Sequence, residues 1–215
     1  MVVADLHVHT TNSDGALTLE ALPAAAEAAG VSAVAITDHD RLHPALSTPV
    51  TAIEDVTVVH GIELRVATGN ERVDLLGYGA RRTPALESLI ERLRADRIDR
   101  AQAIIDRVES RLGVELPIEP RTGIGRPHVA EAIASVSVYS YQGAFDELIG
   151  DGKPCYVARD VPSFDDGVGI LREACGLVGL AHPFRYDDPD TAIERCAVLD
   201  AIERFYPYDH QPDPT

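Results

Sequence analysis

At 215 residues with 45% hydrophobic side chains, the chain is long enough to bury a core of its own without disulfide or metal staples. Its formal net charge of −16, from 35 acidic and 19 basic residues, argues against tight, sequence-independent binding of duplex nucleic acid along a basic face. There is no charged and apolar leader and no run of about 18 apolar residues, so neither a signal peptide nor a membrane span is expected, and the expected location is the cytoplasm. Lys153 is the only lysine; every other basic residue is arginine. Acid excess with lysine avoidance is the pattern of a halophilic protein, whose carboxylates hold water while salt screens their repulsion. Cys155, Cys175 and Cys196 are scattered and form no CxxC pair, which predicts reduced, buried thiols.

In chain order, "VVADL" predicts a strand, and "LEALPAAAEAAG" a helix with Thr18 as N-cap and Gly30 just past its end. "SAVAITDHD" and "VTVVHGIEL" predict two further strands, the second ending at Glu63, and "RVDLLGYG" a short one. From Pro84 to Leu112 apolar residues recur every three or four positions, which predicts a long helix stopped by Gly113. "GRPHVAEAIAS" reads as a loop entering a helix with Pro127 in its first turn. "QGAFDELIGDG" reads as a short helix, and "SFDDGVGILREACG" as a helix capped by Ser163. "LVGLAHP" predicts a buried strand ending at His182, "DTAIERCA" a helix and "LDAIERFYP" a last strand.

Strand after strand is expected to end in a metal-competent residue: His7 and His9, then Asp38 and His39, then Glu63, then His182. In (β/α) barrels such positions converge on one mouth. The HxH spacing of His7 and His9 points both imidazoles to one side of an extended segment. "HVHTTNSDG" adds Asp14 on a loop. This mixture of imidazole and carboxylate suits Zn²⁺, Mn²⁺ or Fe²⁺, and a carboxylate such as Glu63 can bridge two ions, as two-metal hydrolysis requires. His60 and His43 are expected to be a packed residue and a loop residue.

The ordered motifs "DLHVHTTNSDG", "TDHD", "GIE" and "AHP", with "GRPHVA" and "GKPCYV", resemble the PHP (polymerase and histidinol phosphatase) family. Within it they are most similar to the branch of small phosphoesterases that includes RNase AM and nucleoside 3′,5′-bisphosphate phosphatases. The resemblance covers nearly the whole chain and implies an α/β fold, a distorted (β/α)₇ barrel. Residues 1–83 and 161–208 would form the barrel, 84–160 a mostly helical insertion beside the mouth, and 209–215 a tail. It implies a hydrolase acting on phosphate mono- or diesters, of nucleotides or short RNA, with two or three divalent ions. His7, His9 and Glu63 would hold the first ion, Glu63 and His182 the second, and Asp14 and His39 the third.

Asp74 stands where this branch usually has a histidine ligand ("HLLGY" against "VDLLGY"); as a shorter, harder donor it would favour Mn²⁺ or Mg²⁺ over Zn²⁺. The Asp-x-His motif with which the family usually finishes, on a late strand, does not occur between "AHP" and Thr215. The end of the barrel is therefore expected to be absent or replaced, with Asp209 and His210 as the nearest substitutes and homo-oligomerisation left open as a source of the missing strand. That departure also keeps a second reading alive, a catalytically impaired or regulatory metal-binding PHP domain. Arg126, His128 and Lys153 are the expected substrate contacts. Arg126 and Lys153 would meet phosphate oxygens, and His128 is a candidate acid at the leaving oxygen, with a metal-bound water as its alternative.

Overall fold

A computed structural model describes residues 3–69 and 71–207. The chain divides into two compact units, Met1–Ser88 with Val161–Thr215, and Leu89–Asp160.

The first unit is built on a mixed seven-stranded sheet: β1 (Ala4–Val8), β2 (Ala33–Ile36), β3 (Val50–Ile53), β4 (Val56–Ala67), β5 (Arg72–Tyr78), β6 (Leu177–Leu180) and β7 (Ala201–Ile202). Strand order is β1-β2-β4-β5-β6-β7, with β3 pairing β4. β1, β2 and the first half of β4 run parallel, as do β6 and β7, whereas β3/β4, β4/β5 and β5/β6 are antiparallel.

The strand that matters most for the site is β4. Through His60 it pairs with β2; from Gly61 to Ala67 it pairs with β5. It does not end at Glu63 as the sequence pattern predicts. It changes partner there, because β2 stops at Ile36 and the backbone beyond it pairs with β4 at a single His39–Glu63 bridge. Glu63 is thus mid-strand yet stands at the end of the parallel segment. β3 was not foreseen, its four residues being too few to show an alternation.

The helix α1 is Leu22–Ala29, shorter than expected. Thr18 is not its N-cap; its hydroxyl accepts from Ala21 N in the preceding turn, and the helix begins at Leu22 with Pro23 in its first turn, where a missing N–H costs nothing. Leu22 and Ala26 pack on Val34, Ile36, Val56 and Val58. α5 (Phe164–Ala174) starts at Ser163, whose side chain accepts from Asp166 N as predicted. It approaches β4 so closely that a Cβ on Gly167 would stand 2.5 Å from Val66 Cγ1. α6 (Pro189–Arg195) is capped by Asp188.

In the second unit lie most of α2 (Pro84–Leu112), α3 (Arg126–Val136), α4 (Tyr141–Ala144) and the π-helical turn Phe145–Ile149. They enclose their own core of Ile104, Ile105, Val108, Val129, Ile133 and Leu148. The three cysteines are free and buried. No helix among the described residues is long and apolar enough to cross a membrane.

His60 is packed in the first unit's interior at 2% exposure, its Nε2 without a hydrogen-bond partner among the described residues. Burial, then the neighbouring charges of Arg82 and His43, push its pKa down to about 4. The unfolded chain therefore takes up a proton between about pH 6.5 and 4 that the native chain refuses. Stability should fall over that window by up to about 3 kcal/mol. Urea unfolding at stepped pH should show a shallower acid slope for His60→Gln than for the parent; equal slopes would assign the acid sensitivity elsewhere.

Candidate metal centre

The segment after β1 forms a tight polar loop, and Asp38, at the end of β2, organises it. Asp38 is fully buried and accepts from Thr10 N and Oγ1 (both 2.7 Å), Ser13 Oγ (2.7 Å) and Asn12 Nδ2 (3.0 Å). These bonds outweigh the burial that would raise its pKa and hold the carboxyl below its usual range. Asp38 was expected as one of the metal-competent strand ends. The structure corrects this: its oxygens are consumed in shaping the loop. Gly15 completes the turn, since a Cβ there would overlap the His9 carbonyl.

Glu63 is the centre of the cluster, with 1% of its surface exposed. Its Oε1 lies 3.0 Å from His182 Nε2 and 3.3 Å from His7 Nε2; its Oε2 lies 2.8 Å from His39 Nδ1 and 3.1 Å from His9 Nε2. Four imidazoles from three segments thus close on one carboxylate. Burial alone would raise its pKa, but these rings outweigh burial and keep it ionised far below the normal range.

His7 and His9 are each backed from behind. His7 Nδ1 is 3.1 Å from both carboxylate oxygens of Glu203, and His9 Nδ1 is 2.8 Å from Asp14 Oδ1. A carboxylate can only accept, so each Nδ1 carries a proton. The two Nε2 atoms then face each other at 3.0 Å across the Glu63 carboxylate. Two lone pairs at that distance need positive charge between them, which protons or a divalent cation can supply. Burial would lower the His7 pKa, but Glu203 and Glu63 raise it to about 10; His9 is raised in the same way by Glu63 and Asp14. Imidazoles backed by carboxylates and turned inward on a shared carboxylate are the donor set of a divalent-metal site, and these residues fit one.

Three groups offer ligand atoms within 4.8 Å of one another: His7, His9 and Glu63; His9, Asp14 and His39; and Glu63, Asp74 and His182. His7, His9, Asp14, His39, Glu63, Asp74 and His182, the ligands carried over from the family resemblance together with Asp74, each lie in one of them. His182 is reached through strain: it follows β6 with φ of 26°, a left-handed conformation that non-glycine residues rarely adopt. Asp74 lies inside β5, not at a strand end, and both its oxygens are engaged by Arg65 (2.7 and 2.6 Å).

Glu203 was missed. It sits one residue past β7 in "LDAIERFYP", ties His7 by its side chain and accepts from His182 N at 2.7 Å. The only sequence signal was an acid at the end of a predicted strand, the criterion that found Glu63. Asp209 and His210 lie outside the described residues.

In the second unit, Arg126 opens α3 and pairs with Asp151, its guanidinium 5.6 Å from the Tyr156 ring centroid. His128 Nδ1 accepts from Gly125 N, closing a reciprocal cap on the helix start. Lys153 is exposed, two residues after Asp151 in the same turn.

The family model for the PHP domain matches residues 5–150. The chain belongs to the PHP domain family. A 3′,5′-nucleoside bisphosphate phosphatase of Chromobacterium violaceum is 31% identical over 204 residues, covering 91% of this chain and 72% of that protein. The 5′-3′ exoribonuclease Rnm of Escherichia coli is 29% identical over 199 residues, covering 86% and 67%. Among solved structures, an amidohydrolase from C. violaceum with bound sulfate and no metal superposes with a TM-score of 0.69 at 28% identity, covering 94% of this chain and 76% of that one. The α/β PHP-type fold expected from the sequence motifs is thereby shown, with three antiparallel pairings interrupting the simple β/α alternation.

Removing Asp38 should loosen the loop that carries Asp14. Asp38→Ala strands four donors, two of them on fully buried Thr10, and should cost at least about 2 kcal/mol. Denaturant unfolding together with limited proteolysis within residues 10–16 reads both effects; unchanged stability and an uncut loop would show that the loop stands without it.

Proposed function

We propose that this PHP protein is a metal-dependent phosphoesterase that hydrolyses phosphate mono- or diesters of nucleotides or short RNA. The observation that carries the reading is the convergence of His7, His9, His39 and His182 on the buried Glu63 carboxylate, each within 3.3 Å. The phosphate-ester substrates named for the C. violaceum and E. coli relatives support the choice of phosphorus over carbonyl carbon.

In this reading His7, His9 and Glu63 hold one ion, while His39 and Asp14, with His9 between the two groups, hold another. Bound divalent ions supply Lewis acidity, activating water and drawing charge from phosphoryl oxygens. The chain's own residues do the rest. Glu203 and Asp14 fix the tautomers of His7 and His9 so that both Nε2 lone pairs point inward. Glu63 sets the anionic floor. Arg126 and Lys153 are the proposed contacts for a substrate phosphate, and His128 the proposed acid, its Nδ1 held by Gly125 and its Nε2 left to act. The acid excess and the single lysine make a salt-rich cytoplasm the proposed setting, and Mn²⁺, Zn²⁺ or Fe²⁺ the proposed ions.

A phosphatase panel in high salt with Mn²⁺, including nucleoside 3′,5′-bisphosphates and short RNA, tests this. His7→Ala should lose at least about 100-fold of the activity while keeping the fold by circular dichroism. Equal activity in both proteins would remove the assignment, and metal uptake with no turnover of any ester would favour the regulatory reading. Because His7 holds a proton up to about pH 10, an incoming ion must displace it below that pH. Titration calorimetry of Mn²⁺ in two buffers of different ionisation enthalpy should register proton release, with affinity rising as pH rises. Buffer-independent heat would contradict the ligand role of His7.

A further inference from the structure

The three groups of potential ligands are not equivalent. Arg65 and Asp74 stand directly opposite each other in the antiparallel β4/β5 register, and Glu63 is two residues before Arg65. Opposed residues of an antiparallel pair, and residues two apart on one strand, share a face of the sheet. Arg65 is therefore carried to the same face as Glu63 and Asp74 by the register alone.

There it makes a two-pronged contact: Nε to Asp74 Oδ1 at 2.7 Å and Nη2 to Oδ2 at 2.6 Å. Asp74 is 1% exposed, so this fork is the main compensation for its buried charge. The guanidinium cannot be titrated away in the working range; the Asp74 contact raises its pKa further. A divalent ion between Glu63, Asp74 and His182 would take its carboxylate from this pair and sit beside a permanent cation.

His182 points the same way. His7 and His9 each have a carboxylate behind Nδ1, which frees Nε2 as a donor to an ion. Among the described residues His182 Nδ1 is buried with no partner, and its Nε2 is the nitrogen that meets Glu63 Oε1 at 3.0 Å. With no acceptor to hold the proton on Nδ1, the favoured neutral tautomer has Nε2–H donating to Glu63. That is a hydrogen-bonding histidine, not one presenting a lone pair. Its Nε2 is 3.6 Å from Asp74 Oδ2, beyond a hydrogen bond, so it does not compete with Arg65 for that oxygen.

We infer that the Arg65 guanidinium takes the place of a divalent ion at the Glu63–Asp74–His182 group, confining the metal centre to the groups built on His7, His9 and Glu63 and on His9, Asp14 and His39. The inference rests on the metal-centre reading above and changes its complement: of the three groups among the described residues two take an ion, and a fixed organic cation stands at the third.

Anomalous scattering at the manganese edge from Mn²⁺-soaked crystals of the unaltered chain locates the ions directly. Peaks are expected at the first two groups and none between Glu63, Asp74 and His182. Elemental analysis of dialysed Mn²⁺-loaded protein should give the same count for Asp74→Asn as for the parent, and one more ion for Arg65→Ala. A peak at the third group in the parent, a count lowered by Asp74→Asn, or an Arg65→Ala protein that admits no further ion would each overturn the inference. An absence of manganese from the His7–His9–Glu63 group as well would sink the underlying metal-centre reading, an outcome distinguishable from the others.

Discussion

A single carboxylate, buried where no water can solvate it, governs the rest of the first unit. An ionised glutamate in the interior is costly unless positive charge or strong donors surround it. Glu63 is surrounded by His7, His9, His39 and His182, which come from the end of β1, the loop after β2 and the turn after β6. The arrangement makes sense only as a receptacle for positive charge. Protons can fill it, in keeping with the raised pKa values of His7 and His9, and its donor set also fits divalent ions. Such a site trades local stability for chemistry.

The sheet delivers these groups by a change of partner. β4 leaves β2 and joins β5 over consecutive residues, so Glu63 is held rigidly from one side by a parallel neighbour's end and from the other by an antiparallel strand. Around it the chain accepts local cost: the left-handed backbone of His182 and the fully buried Asp38. Each is over-determined by its neighbours. His182 N is fixed by Glu203, and Asp38 by four donors from one short loop.

Much of this was legible in the residues. HxH at the end of a strand, "TDHD", "GIE" and "AHP" named the clustered side chains because metal chemistry restricts ligands to a few residue types and strand geometry restricts their spacing. Legibility failed where a residue's role depends on its partner. Asp38 looks like a ligand by type, yet it shapes a loop, and Asp74 is bound by Arg65 as well as lying within reach of Glu63 and His182, a double placement that type alone does not show. Glu203 looked like an ordinary acid, but it orients His7 across the sheet from a strand of only two residues. Arg126 and His128 were singled out for chemistry, and their first observed partners are structural: Asp151 and a helix cap.

By itself the sequence determined which residue types gather at the cluster, the order of the elements apart from β3, the long α2 with its glycine stop, the serine cap of α5 and the family. All of these are set by local pattern and side-chain chemistry. Tertiary structure alone decided which carboxylate sits at the centre, which histidines are backed by an acceptor and which acid is neutralised by an arginine. Those outcomes depend on strand register and on contacts between residues as distant as His7 and Glu203. A residue's type limits what it can bind, but only its neighbours in space decide whether its lone pairs are free.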